Sequence, residues 1–247
     1  MFLESGGPKS IPPNSLSSAW HLSQTGLIAI FIKLNLLELV LMNLSLTEIL
    51  LVIGVLAFSI SVHESMHSIV AYMLGDRSSH DSGRFSLNPL QHVDPLTTIA
   101  LPLILLLAGA QPFAAAKPVQ VNTYNLKWRE AGMALVAASG PLSNLSLALI
   151  FSLIFNTISI NSEIVAKTLI YAIQINVGLG LFNLIPFPPL DGSRVLYAIA
   201  PDFLRDLMNR IESFGFTVII FFMFVIYPFI NPFLISANRR VLELFLT

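Results

Sequence analysis

Residues 49–74 read ILLVIGVLAFSISVHESMHSIVAYML, an apolar run into which His63-Glu64-Ser65-Met66-His67 is set. A helix needs about 20 apolar residues to cross a bilayer, and this run is long enough. On a helix, positions i and i+4 lie on one face, so His63 and His67 would offer imidazole nitrogens to a single metal ion. Glu64, beside them, is placed to take a proton from an attacking water. Soluble chains contain H-E-x-x-H by accident. Here the same five residues put three ionisable side chains at membrane depth, where lipid penalises them unless they pair, bind metal or face water.

The composition around this run agrees with a membrane setting. The chain has 247 residues, 55% hydrophobic and 11% charged, whereas soluble domains carry about 25% charged residues. The expected fold class is therefore an all-α integral membrane protein, with small β elements possible in its loops. A net charge of −1 gives no sign of nucleic-acid binding. The chain has no cysteine, which excludes disulfides and thiolate metal sites. Residues 1–25, with Lys9, Pro12, Pro13 and several serines, lack a basic-then-apolar signal pattern and read as a flexible or surface-lying N-terminus.

Six stretches are candidates for membrane segments: Gly26–Leu44, Ile49–Leu74, Thr97–Pro112, Ala131–Ile158, Ile164–Ile185 and Phe214–Ile235. Two others, Ser193–Glu212 and the tail Ser236–Thr247, read as amphipathic. Thr97–Pro112 decides the topology, because its apolar core is short and Pro102 and Gly109 interrupt it. If it crosses, the basic loop residues divide nearly evenly between the two sides. If it does not, Lys9, Arg77, Arg84, Lys117, Lys127, Arg129, Arg194, Arg205 and Arg210 share one face, with Arg239, Arg240 and Lys167 opposite. The positive-inside rule favours the second arrangement, with the crowded face cytoplasmic. The expectation is five crossings plus one re-entrant or interfacial segment.

Two histidines leave a catalytic zinc one protein ligand short, since such sites usually have three plus water. His21, His80 and His92 lie in polar or loop sequence and read as surface residues. The better candidate is Asp191, in Asn183-Leu-Ile-Pro-Phe-Pro-Pro-Leu-Asp-Gly192, where prolines at 186, 188 and 189 should end a helix near the membrane boundary. Asp191 has a second reading, as a cap for the helix from Gly192 onward. His63 lies roughly 21 Å along its helix from Ile49, past the midplane of a ~30 Å core toward the cytoplasmic side. The re-entrant topology brings Asp191 to that same side, and the all-crossing one does not.

These residues resemble the site-2 proteases, intramembrane zinc metalloproteases, and in particular the short prokaryotic members without extra domains. The resemblance rests on His63-Glu64-x-x-His67, followed by Asn183-x-x-Pro186 and Leu190-Asp191-Gly192. Between them, in the group's order, come Ser86-Leu-Asn-Pro-Leu-Gln-His-Val-Asp-Pro95, Ala116-Lys-Pro-Val119 and Ser139-Gly-Pro-Leu-Ser-Asn144. It implies zinc bound by His63, His67 and Asp191, Glu64 as the base, and Asn144 and Asn183 as polar residues near the scissile bond. An asparagine in an apolar helix also serves as interhelical packing glue. The implied function is hydrolysis of peptide bonds in or near transmembrane segments, at the cytoplasmic side of a prokaryotic cell membrane. The implied partners are a transmembrane substrate and the lipid bilayer. Gly83-Arg-Phe-Ser-Leu and Gln120-Val-Asn are plausible edges for an unwound substrate, or plain loops. The chain then divides into residues 1–25, a membrane metalloprotease domain 26–238 with its core at 49–194, and a tail 239–247. The rival class is a membrane metal-binding or metal-transport protein using the same His and Asp residues. Such a protein would not need Glu64 beside them.

Overall fold

A computed structural model describes residues 45–83, 86, 88–91 and 121–246. The first described helix, α1 (Leu46–Met73), begins at a capping box: Ser45 Oγ accepts the Glu48 N–H, and the Glu48 carboxylate accepts the Ser45 N–H at 2.8 Å. After α1 come a single turn, α2 (Ser78–Asp81), and 3-10 turns at Pro89–Gln91 and Thr123–Asn125. The long helices α3 (Arg129–Thr157) and α4 (Glu163–Asn183) form an antiparallel hairpin. Two short helices, α5 (Asp191–Ile199) and α6 (Asp202–Ser213), then lead to a last span. It is built of α7 (Phe216–Phe221), a π-helical turn (Phe222–Ile226) and α8 (Tyr227–Phe245).

Four of these helical stretches are long and apolar enough to cross a membrane: Leu46–Met73, Arg129–Thr157, Glu163–Asn183 and Thr217–Phe245. The expected segments Gly26–Leu44 and Thr97–Pro112 lie outside the described residues, as does most of Gly83–Leu87. No strand occurs among the described residues.

The helix α1 is inverted relative to those of a soluble protein. The buried residues of α1 are Ser59, Ser61, His63, Ser65, His67, Ser68 and Ala71, while Leu50, Ile53 and Phe58 point outward. Apolar residues gain nothing by hiding from lipid, whereas polar ones must find partners inside the protein. The helix α3 packs against α1 on one side and α4 on the other. Its approach to α4 is close at Gly180, where a Cβ would stand 2.8 Å from the Leu145 side chain. The last span closes a cluster of Ala148, Ile173, Val177, Tyr227 and Leu242, with Phe222 stacked on Phe187 at 5.1 Å.

Two of the expected amphipathic stretches take a different form. Residues 236–245 continue α8 without a break, with Asn238 and Leu242, one turn apart, both buried. Ser193–Glu212 is broken at Ala200-Pro201, where Pro201 becomes the N-cap of α6.

The end of α1 and the start of α3 are tied together. The Lys127 N–H donates to Leu74 O at 2.8 Å. The buried Asp76 carboxylate accepts from Ser78 Oγ (2.7 Å), the Asn122 N–H (2.8 Å) and Asn125 Nδ2 (3.1 Å). Arg77 and Lys127 therefore stand at one end of the bundle, as the re-entrant topology requires. Lys167 is at the other end, bridging Glu48 and Glu163 at 3.0 and 2.8 Å.

Burial opposes ionisation of Asp76, but these hydrogen bonds outweigh it and hold the carboxyl below its usual range. A depressed pKa stabilises the fold above the unfolded value, about 4, and that stabilisation disappears as the solution is acidified through the folded value. Replacing Asp76 by Ala, which leaves the Asn122 and Asn125 donors unpaired, should cost about 1–3 kcal/mol. Unfolding in detergent should show this loss at pH 7, and the difference between variant and wild type should shrink progressively as the pH is taken below about 4.

Candidate metal centre

His63 and His67 project from one face of α1, with their rings edge-on and the centroids 4.7 Å apart. Asp191 reaches them from the first turn of α5. The chain arrives there through the proline-rich turn after α4, whose Pro188–Pro189 peptide is cis. Gly192 is required by close approach, since a Cβ there would lie 2.2 Å from Leu184 O. Asp191 makes no side-chain cap to α5; its Oδ2 lies 3.0 Å from His63 Nε2 and 3.4 Å from His67 Nε2. The three potential ligand atoms all lie within 4.8 Å of one another.

The partners of the ring nitrogens fix what these atoms are. His67 Nδ1 lies 2.8 Å from the Val136 carbonyl oxygen, which can only accept, so Nδ1 carries a proton and, in the neutral ring, Nε2 the lone pair. His63 Nδ1 lies 2.6 Å from Asn144 Oδ1, which gives the same tautomer. Two nitrogen lone pairs and a carboxylate oxygen thus converge, an arrangement relieved by a shared cation. Tetrahedral zinc with ligands at about 2.0–2.1 Å separates its donor atoms by about 3.3 Å. The observed 3.0 and 3.4 Å from Asp191 to the two rings match that spacing, and two imidazoles with a carboxylate are a donor set that suits zinc.

The other residues singled out from sequence take varied places. Glu64 is half-buried beside His63, and its carboxylate has no hydrogen-bond partner among the described residues. Asn144 is fully buried behind His63, with Nδ2 directed to Asn176 Oδ1 at 2.8 Å and to Ser59 O at 3.3 Å. Asn183, half-buried, donates to Leu179 O at 3.0 Å, one turn back. Ser65 Oγ donates to Ser86 O at 2.7 Å. His80 is a surface residue paired with Asp81 at 3.1 Å, and His21 and His92 lie outside the described residues.

Two features escape sequence reasoning. Asn176 and Ser59, both fully buried, extend the polar contacts behind His63. The only trace of Asn176 in the sequence is an amide set between Ile175 and Val177. Gly140, which reads as a helix-loosening or close-packing residue, lies against the imidazoles. A Cβ there would stand 2.5 Å from His67 Nε2 and 2.6 Å from His63 Nε2.

A family model described as Peptidase family M50 matches residues 156–226. The protein named "Putative zinc metalloprotease YwhC" from Bacillus subtilis is 36% identical over 204 residues, covering 77% of this chain and 88% of YwhC. Two proteins named "Putative zinc metalloprotease Rip2" are each 27% identical. The one from Mycolicibacterium smegmatis aligns over 74% of this chain and 69% of its own length. The one from Mycobacterium tuberculosis H37Rv aligns over 62% and 56%. No solved structure matches the chain.

Because Gly140 leaves room for both rings, Gly140→Val should push their Nε2 atoms apart. Zinc content after purification should fall at least tenfold while helical circular dichroism is retained. Full zinc occupancy in this variant would show that the rings have room to retreat.

Proposed function

Since the chain belongs to peptidase family M50, the site-2 protease family, and is an integral membrane zinc metalloprotease, we propose that it is an endopeptidase that cuts membrane proteins in or near their transmembrane segments. The observation that carries this reading is the convergence of three acceptor atoms with a free carboxylate beside them. In this reading His63, His67 and Asp191 hold the zinc and Glu64 is the base. Bound there, zinc would polarise the scissile carbonyl and lower the pKa of a water toward neutrality. Glu64 accepts the water's proton on a carboxylate oxygen and later delivers it to the leaving amine. The Nδ1 contacts of His63 and His67 to Asn144 Oδ1 and the Val136 carbonyl hold both rings with Nε2 turned toward Asp191. Asn144, buried behind His63, fits a role in holding that ring better than direct contact with substrate. Asn183, at the end of α4, is the candidate of the two for touching the substrate.

A metal carrier would use the same ligands but has no need of Glu64, whose position beside them favours hydrolysis. We assign the site to the cytoplasmic side of a prokaryotic cell membrane. Arg77, Lys127, Arg129, Arg194, Arg205 and Arg210 flank or join the helix ends nearest Asp191, which supports that orientation. The membrane domain is taken as residues 26–238, with its core at 49–194.

Two variants of the purified protein separate these roles. Glu64→Gln should keep fold and zinc but lose cleavage of a transmembrane peptide by about 10²–10⁴-fold, the usual worth of a proton-transfer group. Cleavage at the wild-type rate would remove Glu64 as the base. His67→Ala should lose most of its zinc on metal analysis, and unchanged zinc content would remove it as a ligand.

A further inference from the structure

An asparagine amide can be turned end for end, exchanging its donor and acceptor with little change in shape. Which end of Asn144 faces His63 therefore decides the imidazole tautomer. With Oδ1 toward the ring, His63 Nδ1 bears the proton and Nε2 offers a lone pair to Asp191 and to a metal. With Nδ2 toward the ring, Nδ1 must accept, the proton moves to Nε2, and a cation is repelled.

The orientation is set two residues away. Asn176 Nδ2 lies 2.8 Å from Ala172 O and 2.9 Å from Ser59 Oγ. Ala172 O is a main-chain carbonyl and can only accept, so the Asn176 NH₂ must point to it and Oδ1 must point away. That Oδ1 lies 2.8 Å from Asn144 Nδ2, which also faces the Ser59 carbonyl at 3.3 Å. Both neighbours of Asn144 on this side are acceptors, so its NH₂ must face them and its Oδ1 must face His63 Nδ1 at 2.6 Å. Asn144, Asn176 and Ser59 are all fully buried, so no water can serve in place of either amide. Polarity thus passes from fixed main-chain carbonyls through two amides to one ring nitrogen.

We propose that Asn176 is a positioning residue for the metal site, a lock that holds the Asn144 amide, and through it His63, in the metal-binding tautomer. This rests on His63 being a zinc ligand. Asn176 touches neither substrate nor metal, and its effect is on the affinity for zinc.

The protein supplies its own control. Gln174, two residues away on α4, is also buried, but both of its polar atoms lack hydrogen-bond partners among the described residues. An apolar residue of similar size should therefore be tolerated at 174 and not at 176. The test is zinc affinity of the full chain in detergent, by chelator competition at fixed pH, with thermal unfolding followed in parallel. Asn176→Leu should weaken zinc binding about 10- to 100-fold, the usual effect of losing a group that orients a ligand. Gln174→Leu should leave it within about twofold. Asn176→Asp should restore most of the affinity, because a carboxyl kept un-ionised by burial presents an O–H and a C=O in place of the amide. If Asn176→Leu does not fold, Asn176→Ala asks less of the packing and carries the same expectation of loss. Wild-type affinity in the folded Leu or Ala variant would overturn the lock, as would an equal loss in Gln174→Leu. A wild-type protein that binds no zinc, or a His63→Ala variant that binds it normally, would instead bring down the assignment of His63 as a ligand.

Discussion

A polar group inside hydrocarbon has no water to turn to, and that constraint organises this molecule. It explains why α1 buries serines and histidines and turns its leucines and phenylalanines outward. It explains why α3 carries Gly140 and Asn144 on the face toward α1: the histidines need both space and a hydrogen-bond acceptor there. It also explains why α4 contributes Asn176 to the same contact. The helix packing and the metal ligands have one cause, since the polar side chains that draw the helices together are those that build the site.

The environment also selects the kind of group that orients the ligands. Metal-bound histidines commonly donate to a carboxylate, a carbonyl or water. Here His67 uses a main-chain carbonyl and His63 a side-chain amide, so neither partner brings a charge. An extra carboxylate behind His63 would carry a large desolvation cost at this depth. The amide gives direction without charge, but it is reversible end for end and must itself be held.

Much of this was legible in the sequence, for physical reasons that differ from residue to residue. His63 and His67 follow from helical periodicity, which is local. Asp191 is 124 residues from His67, yet it was legible because membrane topology allows a residue only two faces to choose from. The boundaries of the first three described spans agree with expectation to within a few residues, and α1 starts early because Ser45 and Glu48 form a capping box that hydropathy does not register. Asn176 was not legible as a partner of Asn144, because pairing across helices depends on rotation about the helix axis, which apolar composition does not specify. Gly140 was legible as a small residue but not as the one that makes room for two rings. The continuation of α8 through Phe245 was hidden for a different reason: Arg239, Arg240 and Glu243 look like a surface tail until Asn238 and Leu242 are seen to be buried.

The ties at Leu74 and Asp76 give the bundle an anchor of a second kind. Leu74 and Asp76 are bonded directly to residues 122–127, so the end of α1 is fixed against the start of α3 by main-chain and carboxylate bonds outside the apolar spans. Gly140 faces His63 and His67 only in one register of those two helices. That register is therefore held from the rim of the bundle as well as from its interior, and a slip at the rim would be felt at the metal site.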